Sequence, residues 1–285
     1  MAITDYFRKI ASRSADDVRK IIDTMDPDEF SLVDVRQPDE YKQGHLPGAK
    51  LIPLGELPDR LEELDPNKPT LVYCAAGVRS RAGASILTRA GFAAAYSMEG
   101  GIRAWNGLVV EELPATGMAW FLSAQSAEEL IGLAWLLEDG MRSFYLEIAK
   151  GLDRSEEAQL FMELAGAELH HKNALQKLYQ HQSGKDPGVN SPADVLSNKP
   201  KEKYLEGGVL LSEAFSWAGK KDAGEILEFA MSLEVGSYDR YLSLREYFKD
   251  ESSREVFGLL AAEEKAHLKR LTRLFEKSMS DTGSN

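Results

Sequence analysis

The sequence predicts two domains of different class: an α/β domain with a parallel sheet over residues 1–115, and an all-α four-helix bundle with a long crossover over residues 116–285. Two observations lead to this prediction. Short β-rich runs alternate with helical stretches as far as about residue 110, an order typical of parallel sheets. After Ser126 the β-rich runs stop, and long amphipathic helices follow.

The first domain contains two clear strand patterns and a weaker one. Residues 30–35 (FSLVDV) and 70–73 (TLVY) are predicted to be buried parallel strands, and residues 94–98 (AAYSM) a third. A helix is predicted over residues 80–89, directly after the second strand. Pro114 and Gly117 indicate a linker over residues 111–125.

Each helix of the second domain begins with a predicted capping pair, in which a side chain and an acid three residues later satisfy free backbone N–H groups. The pairs are Ser126/Glu129, Asp153/Glu156, Asp222/Glu225 and Ser252/Glu255. A long crossover, residues 182–221, joins the second helix to the third. Residues 205–217 within it are predicted to form a short additional helix.

The composition excludes several classes of function. A net charge of -12 argues against a nucleic-acid or anionic-membrane partner, since binding phosphates requires clustered Lys and Arg. No apolar run approaches the roughly 20 residues that span a bilayer, and the N-terminus lacks a signal-peptide core, so we expect a cytoplasmic protein. One cysteine excludes an internal disulfide and an all-cysteine metal site within one chain.

Four glutamates and two histidines lie inside the apolar stripes of the predicted helices. They are Glu138, Glu168, His171, Glu234, Glu264 and His267. Unpaired buried carboxylates cost several kcal/mol each and would repel one another. Two divalent cations would balance the four negative charges, and mixed carboxylate and imidazole ligands suit iron or manganese.

The spacing of these residues strengthens the prediction. Glu-x-x-His occurs twice and puts two ligands on one face of a helix turn, and the other two helices each carry Glu with Tyr seven residues later. Glu138, Tyr145, Glu168 and His171 all recur 96 residues later, as Glu234, Tyr241, Glu264 and His267. Gly140 and Gly236 match as well. Two similar helical hairpins would bring two Glu-x-x-His turns face to face.

These residues resemble the ferritin-like domain of rubrerythrins over residues 124–279. The resemblance implies a di-iron centre in which Glu168 and Glu264 bridge the metals. The terminal ligands are then Glu138, Glu234, His171 and His267. Two tyrosines, Tyr145 and Tyr241, lie next to these ligands without binding the metals. Two features depart from the family: Ser237 stands where a further glutamate is usual, and the rubredoxin domain is absent.

Further expectations follow from this resemblance. An external electron donor such as a rubredoxin would be required, and a homodimer is expected because such bundles commonly pair through helix faces. A single Glu-x-x-His is often only part of a charged helix surface, which would leave a plain bundle. Glu202, Glu206 and Glu246 are interpreted as such surface acids, and His170, His45 and His181 as structural or surface histidines.

Cys74 follows the strand of residues 70–73 and precedes a loop of small residues. Ligands of α/β sheets bind at the carboxyl ends of strands, and such a loop can direct backbone N–H groups of Ala75, Ala76, Gly77, Val78 and Arg79 at one point. There the N–H groups, the helix dipole and Arg79 would stabilise a thiolate or persulfide. Without such a context, a lone cysteine is more often an inert buried residue.

This loop and its flanks resemble rhodaneses over residues 12–113. The flanking motifs are LVDVR at residues 32–36, EYKQGHLPGA at 40–49 and GGIRAW at 100–105. The resemblance implies a sulfurtransferase that forms a persulfide on Cys74 from a small sulfane donor such as thiosulfate and passes it to an acceptor. Asp34, His45 and Trp105 are expected to be structural.

A phosphatase of the related fold is the nearest competing interpretation. It requires an arginine six residues after the cysteine, where this chain has Ser80, and a histidine before the cysteine, where it has Tyr73. Two functional hypotheses remain. In the first, a sulfurtransferase is joined to a di-iron domain that reacts with peroxide or oxygen. In the second, the bundle stores or senses metal, and the first domain carries or docks sulfur with little turnover.

Overall fold

The computed structural model describes residues 10–105, 107, 109, 124, 126–152, 156–184, 191–196 and 199–282. The chain divides into two compact units, residues 1–111 and 112–285. Each is described by itself. The expected linker over residues 111–125 lies almost entirely outside the described residues, as does the boundary between residues 115 and 116, and both stay predictions. Asp153 of the second capping pair is also outside them.

The first unit contains a five-stranded sheet in which each neighbouring pair of strands is parallel. Its strands are β1 (Ser12–Arg13), β2 (Ser31–Asp34), β3 (Lys50–Leu51), β4 (Thr70–Tyr73) and β5 (Ala95–Met98). Their order in the sheet is β1-β5-β4-β2-β3. The predicted α/β class is confirmed, and β4 matches its predicted bounds.

Three helices belong to this unit: α1 (Ala15–Thr24), α2 (Pro38–Lys42) and α3 (Val78–Arg89). The Ser14 side chain accepts a hydrogen bond from the Asp17 N–H and so caps α1. The central strand β4 is buried along its whole length, as a strand covered on both faces must be. Four residues, 74–77, connect the end of β4 to the start of helix α3, so Cys74 lies in this short connection.

The second unit is mostly helical, as predicted. Its helices are α4 (Ala127–Gly151), α5 (Glu156–Ser183), α6 (Leu211–Ala218), α7 (Ala223–Tyr247) and α8 (Glu251–Thr282). Helices α4, α5, α7 and α8 are the four of the bundle, and α6 is the short helix of the crossover. The predicted apolar stripes face inwards, with Phe144, Phe161, Leu227 and Leu271 fully buried in one core.

The capping predictions have mixed outcomes. Asp222 and Glu225 form the predicted capping box at α7, and the Ser126 side chain accepts from the Glu129 N–H at α4. The prediction for α8 was wrong, because that helix begins at Glu251 and encloses Ser252. Asp250 fulfils the role instead: its carboxylate accepts from the Ser253 N–H at 2.9 Å. An earlier aspartate thus provides a stronger acceptor than the serine hydroxyl.

The crossover approaches the bundle at the two glycines of the repeat. A Cβ atom on Gly140 would overlap the carbonyl oxygen of Tyr204, and one on Gly236 would lie 2.8 Å from Cγ of Glu206. Both glycines are therefore needed for close contact between chain segments, not for helix flexibility. Among the described residues, no helix is both long and apolar enough to cross a membrane.

Candidate functional sites

Cys74 lies in the turn between β4 and α3, with only 1% of its surface exposed. The Gly77 N–H donates to the Cys74 Sγ atom at 3.1 Å, and the thiol lies 3.7 Å from Oγ of Ser80. Ser80 Oγ is also 2.9 Å from Oγ of Ser97 on β5, which holds the hydroxyl in place. The sulfur is thus surrounded by polar groups although it is buried.

The shape of this loop depends on glycine. Gly77 has a φ of +91° at the start of α3, a conformation that other residues rarely adopt. A second segment supports the loop from behind, since the N–H groups of Ile102 and Arg103 donate to the carbonyl oxygens of Cys74 and Ala75 at 2.7 and 3.2 Å. At Gly101 a Cβ atom would overlap this backbone. The GGIRAW motif therefore braces the loop.

These surroundings change the acidity of the thiol. Burial is the largest influence and by itself would raise the pKa of Cys74. Hydrogen bonds from Ser80, Ala76 and Gly77 together outweigh burial, and the net pKa lies below the ordinary value of 9.0. A lowered pKa increases the fraction of nucleophilic thiolate near neutral pH.

The predicted loop residues have different environments. Ala76 is exposed and the Val78 side chain is 79% exposed, so these two contribute backbone and little else, while Ala75 and Gly77 are half-buried. Arg79 was expected to act on the sulfur. Its guanidinium instead donates two hydrogen bonds of 2.7 Å to the carboxylate of Glu40, although its charge still interacts with Cys74.

Glu40 was not identified as a site residue from the sequence. Its hydrogen bonds with Arg79 are the main reason that its pKa is lowered to about 2. Its only signal was its place in the EYKQGHLPGA segment, since nothing local links positions 40 and 79. This ion pair connects the first turn of α3, directly after the Cys74 loop, to α2.

The residues expected to be structural do hold this part of the domain together. The buried Asp34 carboxylate pairs with Arg36 at 2.6 Å, and Arg36 also donates to the Gly44 carbonyl oxygen at 2.6 Å. The His45 ring stacks on Tyr41 at 3.6 Å between centroids. The interpretation of Asp34 and His45 as structural residues therefore fits their burial and their contacts with Arg36 and Tyr41.

In the second unit, the six predicted ligands come together in the bundle core. Their donor atoms form two groups, within each of which all atoms lie within 4.8 Å of one another. One group is Glu138, Glu168, His171 and Glu264; the other is Glu168, Glu234, Glu264 and His267. Glu168 and Glu264 belong to both groups, as ligands that bridge two metal ions would.

The arrangement fits a pair of bound cations. Within the described residues, the Glu168 oxygens and Oε1 of Glu264 accept no well-directed hydrogen bond, although both side chains are buried and Nδ1 of His171 lies 3.0 Å from Oε2 of Glu168 and 3.2 Å from Oε1 of Glu264. Such oxygens are costly unless something neutralises them. Carboxylate oxygens and imidazole nitrogens are suitable donors for iron or manganese. The buried cluster therefore provides what a two-metal centre needs.

The charge balance without metal also indicates a cation site. Burial is the main reason that the pKa of Glu168 is raised and that of Glu234 is raised to about 8. Burial acts against protonation of His267, yet hydrogen bonds to Glu234 and Glu264 raise its pKa to about 10. The pKa values of Glu138 and Glu264 are lowered instead, so the six residues do not respond alike. Metal binding requires deprotonated ligands and would therefore release any protons that the groups with raised pKa values hold.

Each tyrosine supports the glutamate of the opposite hairpin. Tyr145 on α4 donates to Glu234 on α7 at 2.5 Å, and Tyr241 on α7 donates to Glu138 on α4. The sequence placed each tyrosine on one face with the glutamate of its own helix. The structure shows that the hydrogen bonds cross between hairpins, so the two halves fix each other's ligands.

Glu206 was interpreted as a surface acid, and this was wrong. It is buried, accepts a hydrogen bond from Nε of Arg240 at 2.8 Å, and lies 3.3 Å from the Ser237 hydroxyl. Arg240 in turn donates to Glu138 at 3.0 Å. The prediction failed because the short helix begins at Leu211 and not at residue 205 as predicted, so helical periodicity does not apply to Glu206. Gly236 also leaves the space that the Glu206 side chain fills.

Glu263 was also missed. Its carboxylate lies 2.9 Å from Nε2 of His171, while Nδ1 of the same ring faces the cluster carboxylates. Its neighbour Glu264 belongs to the Glu-x-x-His motif, whereas Glu263 lies outside that motif and at the edge of the apolar stripe. No spacing rule within one helix predicts a contact to a histidine on another.

Two family models match the chain: rhodanese-like domain at residues 14–108 and rubrerythrin at residues 225–283. The uncharacterized protein YqhL of Bacillus subtilis is 36% identical over 69 residues, which are 24% of this chain and 55% of YqhL. Thiosulfate sulfurtransferase GlpE of Pseudoalteromonas translucida is 32% identical over 73 residues, 26% of this chain and 70% of that protein.

Among solved structures, a rhodanese-like domain protein from Staphylococcus aureus is 34% identical, with a TM-score of 0.32; the match covers 34% of this chain and 91% of that one. Of the curated relatives, the match covers about half of the length of YqhL and 70% of the length of GlpE. A region that matches the rubrerythrin model at residues 225–283 follows the first unit. Through that first unit, the chain belongs to the rhodanese-like family.

Proposed function

We propose that the chain is a sulfurtransferase that forms a persulfide on Cys74, joined to a di-iron domain that reacts with peroxide or oxygen. The observation that carries the first part is the hydrogen bond from the Gly77 N–H to the Cys74 sulfur at 3.1 Å, at the carboxyl end of a buried strand. Such amides stabilise a sulfur anion through both the thiolate and the persulfide stage.

The proposed transfer takes place in two displacements. The Cys74 thiolate attacks the outer sulfur of a sulfane donor such as thiosulfate. A sulfur–sulfur bond forms at Cys74, the donor's own sulfur–sulfur bond breaks, and sulfite leaves with the electron pair. A nucleophilic acceptor then attacks the outer sulfur of the persulfide, and Cys74 departs as the thiolate. The lowered pKa of Cys74 favours both attack and departure.

In the bundle, the six clustered residues would hold the metal ions, with Glu168 and Glu264 between the two positions. When bound, two iron ions would supply electrons for the reduction of peroxide or oxygen. The protein's own contribution is to orient the ligands: Tyr145 and Tyr241 hold one oxygen each of Glu234 and Glu138. A rubredoxin-type electron donor belongs to this proposal, because the single cysteine of residues 1–285 cannot form a four-cysteine iron site.

Two variants of the full-length chain test the two parts independently. Cys74→Ser should abolish sulfur transfer from thiosulfate to cyanide and leave the metal content unchanged. Glu168→Ala combined with Glu264→Ala should reduce iron from about two per chain to near zero, since ligands of both positions are removed, and leave sulfur transfer unchanged. Retained transfer in Cys74→Ser would refute the sulfurtransferase assignment.

A metal-storing or metal-sensing protein is the second candidate. The complete burial of Glu138, His171 and Glu234 favours it, because buried ligands suit retention of a metal. The discriminating assay is peroxide consumption by the iron-loaded chain with an external reductant supplied. Stoichiometric iron without peroxide consumption would support this candidate over the redox enzyme.

A further inference from the structure

The two metal positions have matching ligands but unequal surroundings. The 96-residue repeat pairs Glu138 with Glu234 and His171 with His267, and each ring directs Nδ1 at the cluster. The residues around them do not follow the repeat. Ninety-six residues before Glu263 the sequence has Ala167.

The contact made by Glu263 is well defined. Its Oε2 atom is 2.9 Å from Nε2 of His171, whose side chain is fully buried, and the Glu263 side chain is 42% exposed. Nδ1 of the same ring lies 3.0 Å from Glu168 and 3.2 Å from Glu264. One nitrogen therefore faces a solvent-accessible carboxylate, and the other faces the oxygens that the two positions share.

We infer that Glu263 is a positioning residue that holds the His171 ring with Nδ1 directed at the cluster, and that it thereby makes the two metal positions unequal. Nε2–H donates to Glu263, which fixes the tautomer in which Nδ1 keeps its lone pair for a metal ion. The carboxylate also makes the imidazole a stronger donor.

The other hairpin lacks this device. Glu263 directly precedes the bridging Glu264 and reaches across to His171 on α5, and Ala167 directly precedes the other bridging residue, Glu168. An alanine side chain offers no acceptor to His267. The position formed by Glu138 and His171 is therefore the one with the supported histidine. Glu263 should strengthen metal binding there, against the Arg240 guanidinium that donates to Glu138 at 3.0 Å. This inference rests on the proposed two-metal centre.

Titration of the metal-free, full-length chain with Co²⁺ tests it, with calorimetry for affinity and visible absorption for the ligand environment. The wild type should bind two ions in unequal steps. Glu263→Ala should weaken one step by about 10- to 100-fold, the usual effect of losing such a partner, and change one part of the Co²⁺ spectrum. Glu263→Gln keeps an acceptor oxygen and should recover much of the loss.

Two further variants make the test specific. Glu255→Ala removes an exposed glutamate from the same helix and should change neither step. Ala167→Glu should strengthen the step that belongs to the His267 position. If Glu263→Ala binds two Co²⁺ ions with wild-type affinities and spectrum, the inference is overturned while the metal centre stands. A wild-type chain that binds no Co²⁺, Mn²⁺ or iron overturns both.

Discussion

The two candidate sites of this chain are constructed in opposite ways. The sulfur of Cys74 is surrounded mainly by the backbone of its own loop and by hydroxyls, and it needs only one reactive side chain. The cluster of candidate metal ligands consists entirely of side chains from four separate helices. The first site should therefore be sensitive to backbone conformation and tolerant of side-chain changes. The second should depend on each side chain and on the groups that support it.

The largest expected effect concerns the support of the metal cluster. Arg240→Leu would leave Glu206 buried without its cation, and breaking a buried ion pair costs about 3–5 kcal/mol. The thermal transition of the metal-free bundle should fall accordingly, while sulfur transfer stays unchanged. Adding Glu206→Leu to the same chain should recover most of the lost stability. A single variant as stable as the wild type would show that the pair has no structural role.

The next effect tests the backbone dependence of the sulfur site. Gly101→Ala introduces a Cβ that overlaps the Cys74 backbone, at a φ of +60°. The loop must move, and a misplacement of about 1 Å can reduce a rate by roughly 100-fold. Thiosulfate-to-cyanide transfer measures this. Gly91→Ala is the matched control, because Gly91 also has a positive φ but has no atom within 4 Å of the added Cβ; it should keep near wild-type activity.

A smaller effect is expected in the pH dependence of Cys74. The thiolate is reactive above its pKa, and reactivity is lost as pH falls through that value. Ser80 lowers the pKa of Cys74, so Ser80→Ala should move the midpoint of iodoacetamide labelling to higher pH. At neutral pH the labelling rate should fall by about 2- to 10-fold, the usual contribution of one hydrogen bond. An unchanged midpoint would show that the backbone amides alone set the acidity.

The smallest effect is expected at Val78, whose side chain is 79% exposed beside the reactive loop. Val78→Ser should change the stability by less than about 0.5 kcal/mol, as exposed substitutions usually do. Thermal unfolding and the cyanide assay measure both quantities. A large loss of sulfur transfer with normal stability would mean that this side chain contacts the donor or acceptor, and the backbone description of the site would need revision.

Local patterns predicted the framework of both sites. The run TLVY predicted strand β4, because a central parallel strand is apolar throughout. The glutamates inside the apolar stripes predicted the cluster, because helical periodicity determines which residues face the core. Both patterns involve residues that are close together in the sequence, so they can be recognised without a structure.

The missed residues all act over long distances in sequence. Glu40 reaches Arg79, Glu206 reaches Arg240, and Glu263 reaches His171 on another helix. No spacing rule connects such positions. The failed cap at Ser252 has a different cause, because Asp250 competes locally for the same backbone groups. Sequence patterns thus identified the clustered residues and the loop around Cys74, but not the partners that hold them.

The brace behind the Cys74 loop has a consequence for synthesis of the chain. Residues 95–103 supply both β5, on which β1 pairs, and the N–H groups that bind the Cys74 and Ala75 carbonyl oxygens. They leave the ribosome after the loop. Because these residues follow the loop in the chain, the hydrogen bonds that hold the Cys74 and Ala75 carbonyl oxygens can form only after residue 103 has been synthesised, so this site is completed from its C-terminal side.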